Sequence, residues 1–257
     1  MRMKHFLHYV MLSIILSYGV FTPRIASAEA GGIRLGQTRV IFNAEAKNAQ
    51  MMIKNGSDQV YLLKADVMST QEGNEQKSKP PFIITPPISR LEAKNQSTLL
   101  IVPQGTNVLP TDRESVFYLS LLAIPSTPKG KTAIESMTQA QVSVGIRNVI
   151  KLFYRPVKLP ITVEQAAGKL VFHQTGQQVA ITNPTPYFLT LAQLAVNQHF
   201  IDLQNVDPMI APFSTSYYPI KGRVTQAEWA VITDFGDISP LYQATIQVGE
   251  DHDKLSR

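Results

Sequence analysis

The sequence predicts an all-β protein built from two β-sandwich domains. Three observations predict it. Short runs of β-branched and aromatic residues recur along the chain, separated by Pro, Gly, Asn and Asp. No long segment carries a helical period. The segment Arg155-Pro156-Val157-Lys158-Leu159-Pro160 breaks the strand rhythm, which then restarts. Its two prolines cannot serve a central ladder, so it reads as a joint.

The elements follow in chain order. Arg2, Lys4 and His5 give a short positive start, and an apolar run leads from Phe6 to Phe21. Ala26-Ser27-Ala28 is a small-x-small cleavage signature. Together these predict a secretory signal peptide over residues 1–28, with cleavage after Ala28. The apolar run is too short to span a membrane before Pro23 and Arg24. No second such run follows, so the mature chain from Glu29 is expected to be soluble, without membrane insertion.

Strands are predicted at Ile33 to Phe42, Gln50 to Lys54, Val60 to Val67, Phe82 to Thr85, Ser97 to Val102, Val116 to Ile124 and Val142 to Tyr154. Gln71 to Pro81 and Ser126 to Gln139 are polar and read as loops. Asn55-Gly56 is a nominal hairpin turn, but the same turn could cross between two sheets. Beyond the joint, Thr162 to Gly168 is a helical fragment of about two turns at most. Strands follow at Leu170 to His173, Gln178 to Thr182, Phe188 to Val196, Ser216 to Ile220, Glu228 to Ile232 and Tyr242 to Gln247. The sandwiches are placed at 29–156 and 157–250, with a polar tail at 251–257.

Composition narrows the function. The chain has 257 residues, with 24 basic, 19 acidic and no cysteine. Three of the basic residues lie in the leader, leaving 21 against 19 and a mature net charge of +2. No basic stripe suggests nucleic acid. Without cysteine, thiol catalysis, cysteine zinc sites and disulfides are excluded. The mature histidines His173, His199 and His252 have no metal-ligand spacing. No G-x-S-x-G elbow is present. Gly130-Lys131-Thr132 would need a glycine where Pro125 stands to make a phosphate loop. Trp229 sits in an apolar strand and is expected in the core. Neither an enzyme, a metal site nor a cofactor is expected.

Two patterns remain. Val142, Val144 and Ile146 alternate with Gln141, Ser143, Gly145 and Arg147. Alternation alone fits a half-buried strand of the chain's own domain, or a strand lent to a partner. Arg39 and Lys151 each interrupt an apolar strand, and a buried cation needs a partner.

Five further runs settle the choice by resemblance. They are Gly36-Gln37-Thr38-Arg39-Val40-Ile41-Phe42, then Phe82-Ile83-Ile84-Thr85-Pro86-Pro87 with Arg90-Leu91. Asp112-Arg113-Glu114-Ser115-Val116-Phe117-Tyr118-Leu119 leads to Ala123-Ile124-Pro125. Ile150-Lys151-Leu152-Phe153-Tyr154-Arg155-Pro156 and Asn183-Pro184-Thr185-Pro186-Tyr187 follow. In this order they resemble the periplasmic chaperones of the chaperone–usher pilus pathway. The resemblance implies two immunoglobulin-like sandwiches in an L or boomerang. It implies a periplasmic chaperone that binds pilus or fimbrial subunits by donor-strand complementation and delivers them to an outer-membrane usher. It implies Val142, Val144 and Ile146 as donor residues, and Arg39 and Lys151 as the anchor for the subunit's terminal carboxylate. Glu114, Arg155 and Asp234 match an ionic link between domains, with Asp237 close enough to replace Asp234. The loop Ser126 to Gln139 is similar to that of a long-loop branch, whose usual cysteine pair is absent here. In that branch the early strand contributes to binding, which would involve Ile33 and Leu35; ordinary core packing explains them equally well. A self-capping dimer of the free protein is also admitted. The rival is an adhesin or pilus subunit of similar sandwiches, which would not need Arg39 and Lys151 together in a cleft.

Overall fold

The computed structural model describes residues 32–72, 79–126 and 143–248. The leader, Val142, most of the Ser126–Gln139 loop and the tail lie outside the described residues.

The first sandwich is built from β1 (Ile33–Leu35), β2 (Arg39–Asn43), β3 (Ala49–Asn55), β4 (Tyr61–Met68), β5 (Phe82–Thr85), β6 (Ile88–Leu91), β7 (Gln96–Pro103), β8 (Ser115–Pro125) and β9 (Ile146–Arg155). One sheet has the order β1-β3-β7-β5 and the other β2-β9-β8-β4-β6. The two enclose a core that includes Phe42, Met51, Ile53, Leu63, Leu99, Leu121 and Leu152. Burial alternates residue by residue along β3 and β4, as expected where one face of a strand meets a core.

The strand expected from Ile33 to Phe42 is two strands in different sheets. β1 pairs antiparallel with β3, whereas β2 pairs parallel with β9. The chain crosses at Gly36–Thr38. The Gly36 N–H still bonds the Met52 carbonyl at 2.9 Å, and a Cβ on Gly36 would stand 3.3 Å from that of Met52. The turn at Asn55-Gly56 also crosses between sheets, as does Pro86-Pro87. Asn55 is fully buried. Its amide donates to the Gln59 and Glu92 carbonyls, and its oxygen accepts from Ser57. A buried side chain thus pairs backbone groups that leave the ladder.

The second sandwich repeats the scheme. Helix α1 (Val163–Ala167) opens with a capping box between Thr162 and Gln165. Then come β10 (Val171–Thr175), β11 (Gln178–Asn183), β12 (Leu189–Val196), β13 (His199–Phe200), β14 (Met209–Ile210), β15 (Ser214–Pro219), β16 (Gln226–Val231), β17 (Tyr242–Thr245) and β18 (Gln247–Val248). The sheets run β15-β11-β10-β18 and β13-β12-β16-β17, with β14 also on β12. Trp229 fills the centre between Phe172 and Tyr242, and its indole N–H bonds the Ala167 carbonyl. Asn183 is the counterpart of Asn55: fully buried, it bonds the Tyr187, Ile210 and Ala211 carbonyls and accepts from Thr185. That corner carries Tyr187 and Phe188 to the first sandwich.

There Arg155 bonds Glu114 of its own sandwich and Asp234 of the second. Arg155 Nε donates to Glu114 Oε1 at 2.7 Å, and its two Nη atoms grip both oxygens of Asp234 at 2.6 and 2.9 Å. Glu114 Oε2 accepts the Phe188 N–H at 2.9 Å, and the Arg155 guanidinium lies 5.1 Å from the Tyr187 ring centre. It is Asp234, not Asp237, whose carboxylate bonds Arg155; the Asp237 carbonyl instead closes the turn onto the Thr233 N–H. Burial disfavours charge on both partners. For Arg155 the bonds to Asp234 and the field of Glu114 outweigh it and raise its pKa; for Glu114 burial wins and the carboxyl moves up. Such a network fixes geometry more than it adds stability. Gly236 completes the seam. At φ +90° it brings the turn so close to β2 that a Cβ would stand 2.4 Å from Thr38 Oγ1.

Arg155→Met strands the buried Glu114 carboxylate and is expected to cost about 3–5 kcal/mol in denaturant unfolding. Adding Glu114→Gln should restore most of that loss. Gly236→Ala should cost at least about 1 kcal/mol more than Gly176→Ala. Gly176 also has positive φ, but nothing lies within 4 Å of its Cβ position.

Candidate functional site

The candidate site is one edge of β9 and the end of that edge. β9 pairs with β8 along its whole length, from Ser115↔Tyr154 to Ala123↔Ile146. On its other side β2 covers only Lys151 to Arg155. Among the described residues, Ile146–Ile150 therefore present an unpaired edge, the kind of surface on which another strand can pair. Ile146 and Val144 are 48% and 69% exposed, an unusual setting for two neighbouring β-branched residues.

The two faces of β9 have different work. Leu152 is fully buried, and Ile150 and Tyr154 pack on the same core. Ile146 shares their parity and continues that row beyond the core. Lys151, Phe153 and Arg155 have the opposite parity and face the second sandwich. The β8–β9 register is uninterrupted, so the alternation of faces holds from Ile146 to Lys151. The apolar row and the cation occupy opposite faces.

At the end of the open edge, Arg39 and Lys151 are direct neighbours in the parallel register. β2 begins at Arg39 because the chain has just crossed between sheets. Arg39 is 9% exposed. Its Nη1 donates to the Ile232 carbonyl at 3.1 Å, its guanidinium lies 5.7 Å from the Phe153 ring centre, and its buried Nε has no hydrogen-bond partner. Burial lowers its pKa against the opposing fields of Asp234 and Glu114. Lys151 is half-buried, and its pKa is lowered first by burial and also by Arg39, with Asp207 acting the other way. Neither cation forms an ion pair among the described residues, whereas Arg155 forms two. Two desolvated, adjacent cations without an ion pair of their own are costly and suit an anion supplied from outside.

The structure thus brings Arg39 to Lys151, and Glu114 to Arg155 and Asp234. Val142 lies outside the described residues. Ile33 and Leu35 are half-buried against the first core, which is the packing alternative. The sequence carried no signal for the Ile232 carbonyl, nor for Phe153 against Phe188 across the seam at 5.8 Å. Phe188 does follow the Asn183–Tyr187 run directly, so that motif marked its place without its role.

Two family models match the chain. Residues 32–160 match the pili and flagellar-assembly chaperone, PapD N-terminal domain. Residues 165–243 match the pili assembly chaperone PapD, C-terminal domain. The chaperone protein HifB of Haemophilus influenzae is 37% identical over 213 residues, 82% of this chain and 86% of that protein. Among solved structures, the complex of the Salmonella enterica SafA pilin with the SafB chaperone aligns at TM-score 0.71 and 30% identity, covering 84% of this chain and 96% of the matched one. The periplasmic chaperone SfaE aligns at TM-score 0.67 and 29% identity, covering 85% and 100%. Two immunoglobulin-like sandwiches, family models over both, and relatives of this closeness lead to one conclusion: the chain belongs to the PapD family of pili assembly chaperones, non-enzymatic proteins of the chaperone–usher pathway.

Proposed function

We propose that this chaperone captures pilus subunits by lending the open edge of β9, and that Arg39 and Lys151 hold the subunit's terminal carboxylate. The observation that carries this is the coincidence of the unpaired edge at Ile146–Ile150 with two buried or half-buried cations at its end that form no ion pair among the described residues. A strand docked there lies in line with β2. If it runs parallel to β9, its carboxyl end meets the cations; if antiparallel, its amino end does. The charges favour the parallel arrangement. Val142, Val144 and Ile146 enter the subunit's groove, each contributing about 1.5–3 kcal/mol when buried. Each charge-assisted bond at the anchor adds about 1.5–3 kcal/mol. Glu114, Arg155 and Asp234 hold the second sandwich so that the Ile232 carbonyl stays on Arg39. Ile33 and Leu35 hold β1 against the first core and contact the subunit only at their exposed side.

The rest of the assignment follows from this reading. Residues 1–28 direct the chain to the periplasm and are removed, leaving domains at 29–156 and 157–250. An outer-membrane usher receives the loaded chaperone, and the subunit leaves by strand exchange. Without a subunit, two copies can cap each other through the same edge. No cofactor is required, because strand exchange is driven by burial and pairing.

The test is co-purification of the tagged protein from periplasm with co-expressed pilin-like partners. A one-to-one complex is expected, and it should be lost in Arg39→Ala and in Lys151→Ala while both variants remain folded. Subunit levels that persist in either variant count against the anchor. Val144→Asp should likewise abolish capture, by placing a charge in the shared groove.

The anchor also sets a pH dependence. Burial holds Lys151 below its ordinary 10.5 in the free protein, and a bound carboxylate raises it again. Capture therefore takes up a proton at alkaline pH. Affinity should be level while Lys151 is charged and fall as pH rises through its free-state value towards 10.5. Peptide titrations across that range should show the fall, and Lys151→Arg should push it to higher pH.

A further inference from the structure

We propose that the apolar cleft behind Arg39 receives the side chain of the subunit's last residue and so favours subunits that end in an apolar residue. The proposal rests on the anchor role of Arg39 and adds a second, separable recognition step beside it.

The cleft lies between the sandwiches and encloses about 420 Å³, within the ~300–1,000 Å³ range of ligand pockets. Phe153, Ala167, Phe188, Val231 and Tyr242 give it apolar walls. Arg39 forms part of the lining, nine-tenths buried, with its Nε unpartnered. A carboxylate held at the remaining exposed part of the Arg39 guanidinium is bonded to an α-carbon that also carries the terminal side chain. Anchoring at Arg39 therefore brings that side chain to the cleft.

Two further observations point the same way. Phe235 stands at the cleft and is 89% exposed. It projects from a turn braced on three sides: the preceding Ile232 carbonyl holds Arg39, Asp234 holds Arg155, and Gly236 abuts Thr38. A large apolar ring on a fixed turn gains nothing from solvent, and a terminal side chain beneath it would cover it. The charges at the cleft also discriminate. Glu114 and Asp234 are committed to Arg155, but Glu164 and Asp237 also line it without an ion pair among the described residues. An acidic last residue is thus repelled, and a small polar one leaves apolar walls unfilled.

The test uses the full-length protein and strand-length synthetic peptides of alternating apolar residues, identical except at the last position. That position is Leu, Phe, Ser, Asp or Lys, and each peptide is made with a free carboxylate and as a C-terminal amide. Calorimetric affinities should be about tenfold or more tighter for Leu and Phe than for Ser, the size expected for burying one apolar side chain, and weakest for Asp. Amidation should weaken every peptide. Phe235→Ala, at an exposed position, should narrow the gap between Leu and Ser and leave the cost of amidation unchanged. Equal affinity for all last residues, with amidation still costly, overturns the cleft and leaves the anchor standing. A gap unchanged by Phe235→Ala, or tightest binding by the Lys peptide, overturns it too. Amidation without cost overturns the anchor, and the cleft proposal with it.

Discussion

β2 pairs with β9 only from Arg39 and Lys151 onward, and the crossing at Gly36–Thr38 is what stops it there. Had the first strand stayed in one sheet, β9 would be paired on both sides and the molecule would have no open edge at this place. The crossing instead divides β9 into a part that serves its own sandwich and a part that does not. It also puts a cation at the boundary. Arg39 starts β2 beside Lys151, so the charges mark the end of the open edge. One backbone feature thereby accounts for the open edge and for the position of the proposed anion site at its end.

Exposed apolar residues on an unpaired edge are normally a hazard. Here the hazard is limited in extent: β8 covers one side throughout, and β2 closes the other after Ile150. The second sandwich contributes by bracing. Its turn at Ile232–Gly236 touches the first sandwich at Arg39, at Arg155 and at Thr38. Buried ion pairs of this kind are poor sources of stability and good sources of fixed geometry. Fixed geometry is what the proposed anion site of two like charges requires, because neither charge forms an ion pair among the described residues that would hold it in place.

Much of this was legible in the sequence, and what was not has a physical reason. Strands with one buried face advertised themselves by alternation, as β3 and β4 show. The helix at Val163–Ala167 falls within the fragment expected at Thr162 to Gly168. Trp229 lies in the core, as its apolar strand suggested. The break between β1 and β2 was missed, because a change of sheet leaves the alternation of residue types almost intact and only Gly36 betrays it. The two-residue strands β13, β14 and β18 are set by their partners and carry no period of their own. Local sequence named Arg39 and Lys151 but not the surroundings of Arg39, which lies against Phe153 and bonds a carbonyl 193 residues away. Asp234 and Asp237 looked alike in sequence; the turn closed by Thr233 and Asp237 decides between them. Ile146 and Lys151 are an odd number of residues apart in an uninterrupted register, so they lie on opposite faces of β9.

The central claim is that a subunit strand pairs with β9 between Ile146 and Ile150. Hydrogen exchange of the backbone amides of this segment, measured with and without a bound subunit, tests it most directly. In the free protein, the amides that do not bond β8 should exchange quickly, while those of Leu152 to Arg155 stay slow. With subunit bound, the Ile146–Ile150 amides should become as slow as their neighbours. A stable complex in which these amides remain fast would mean that the subunit binds elsewhere, and would contradict the account.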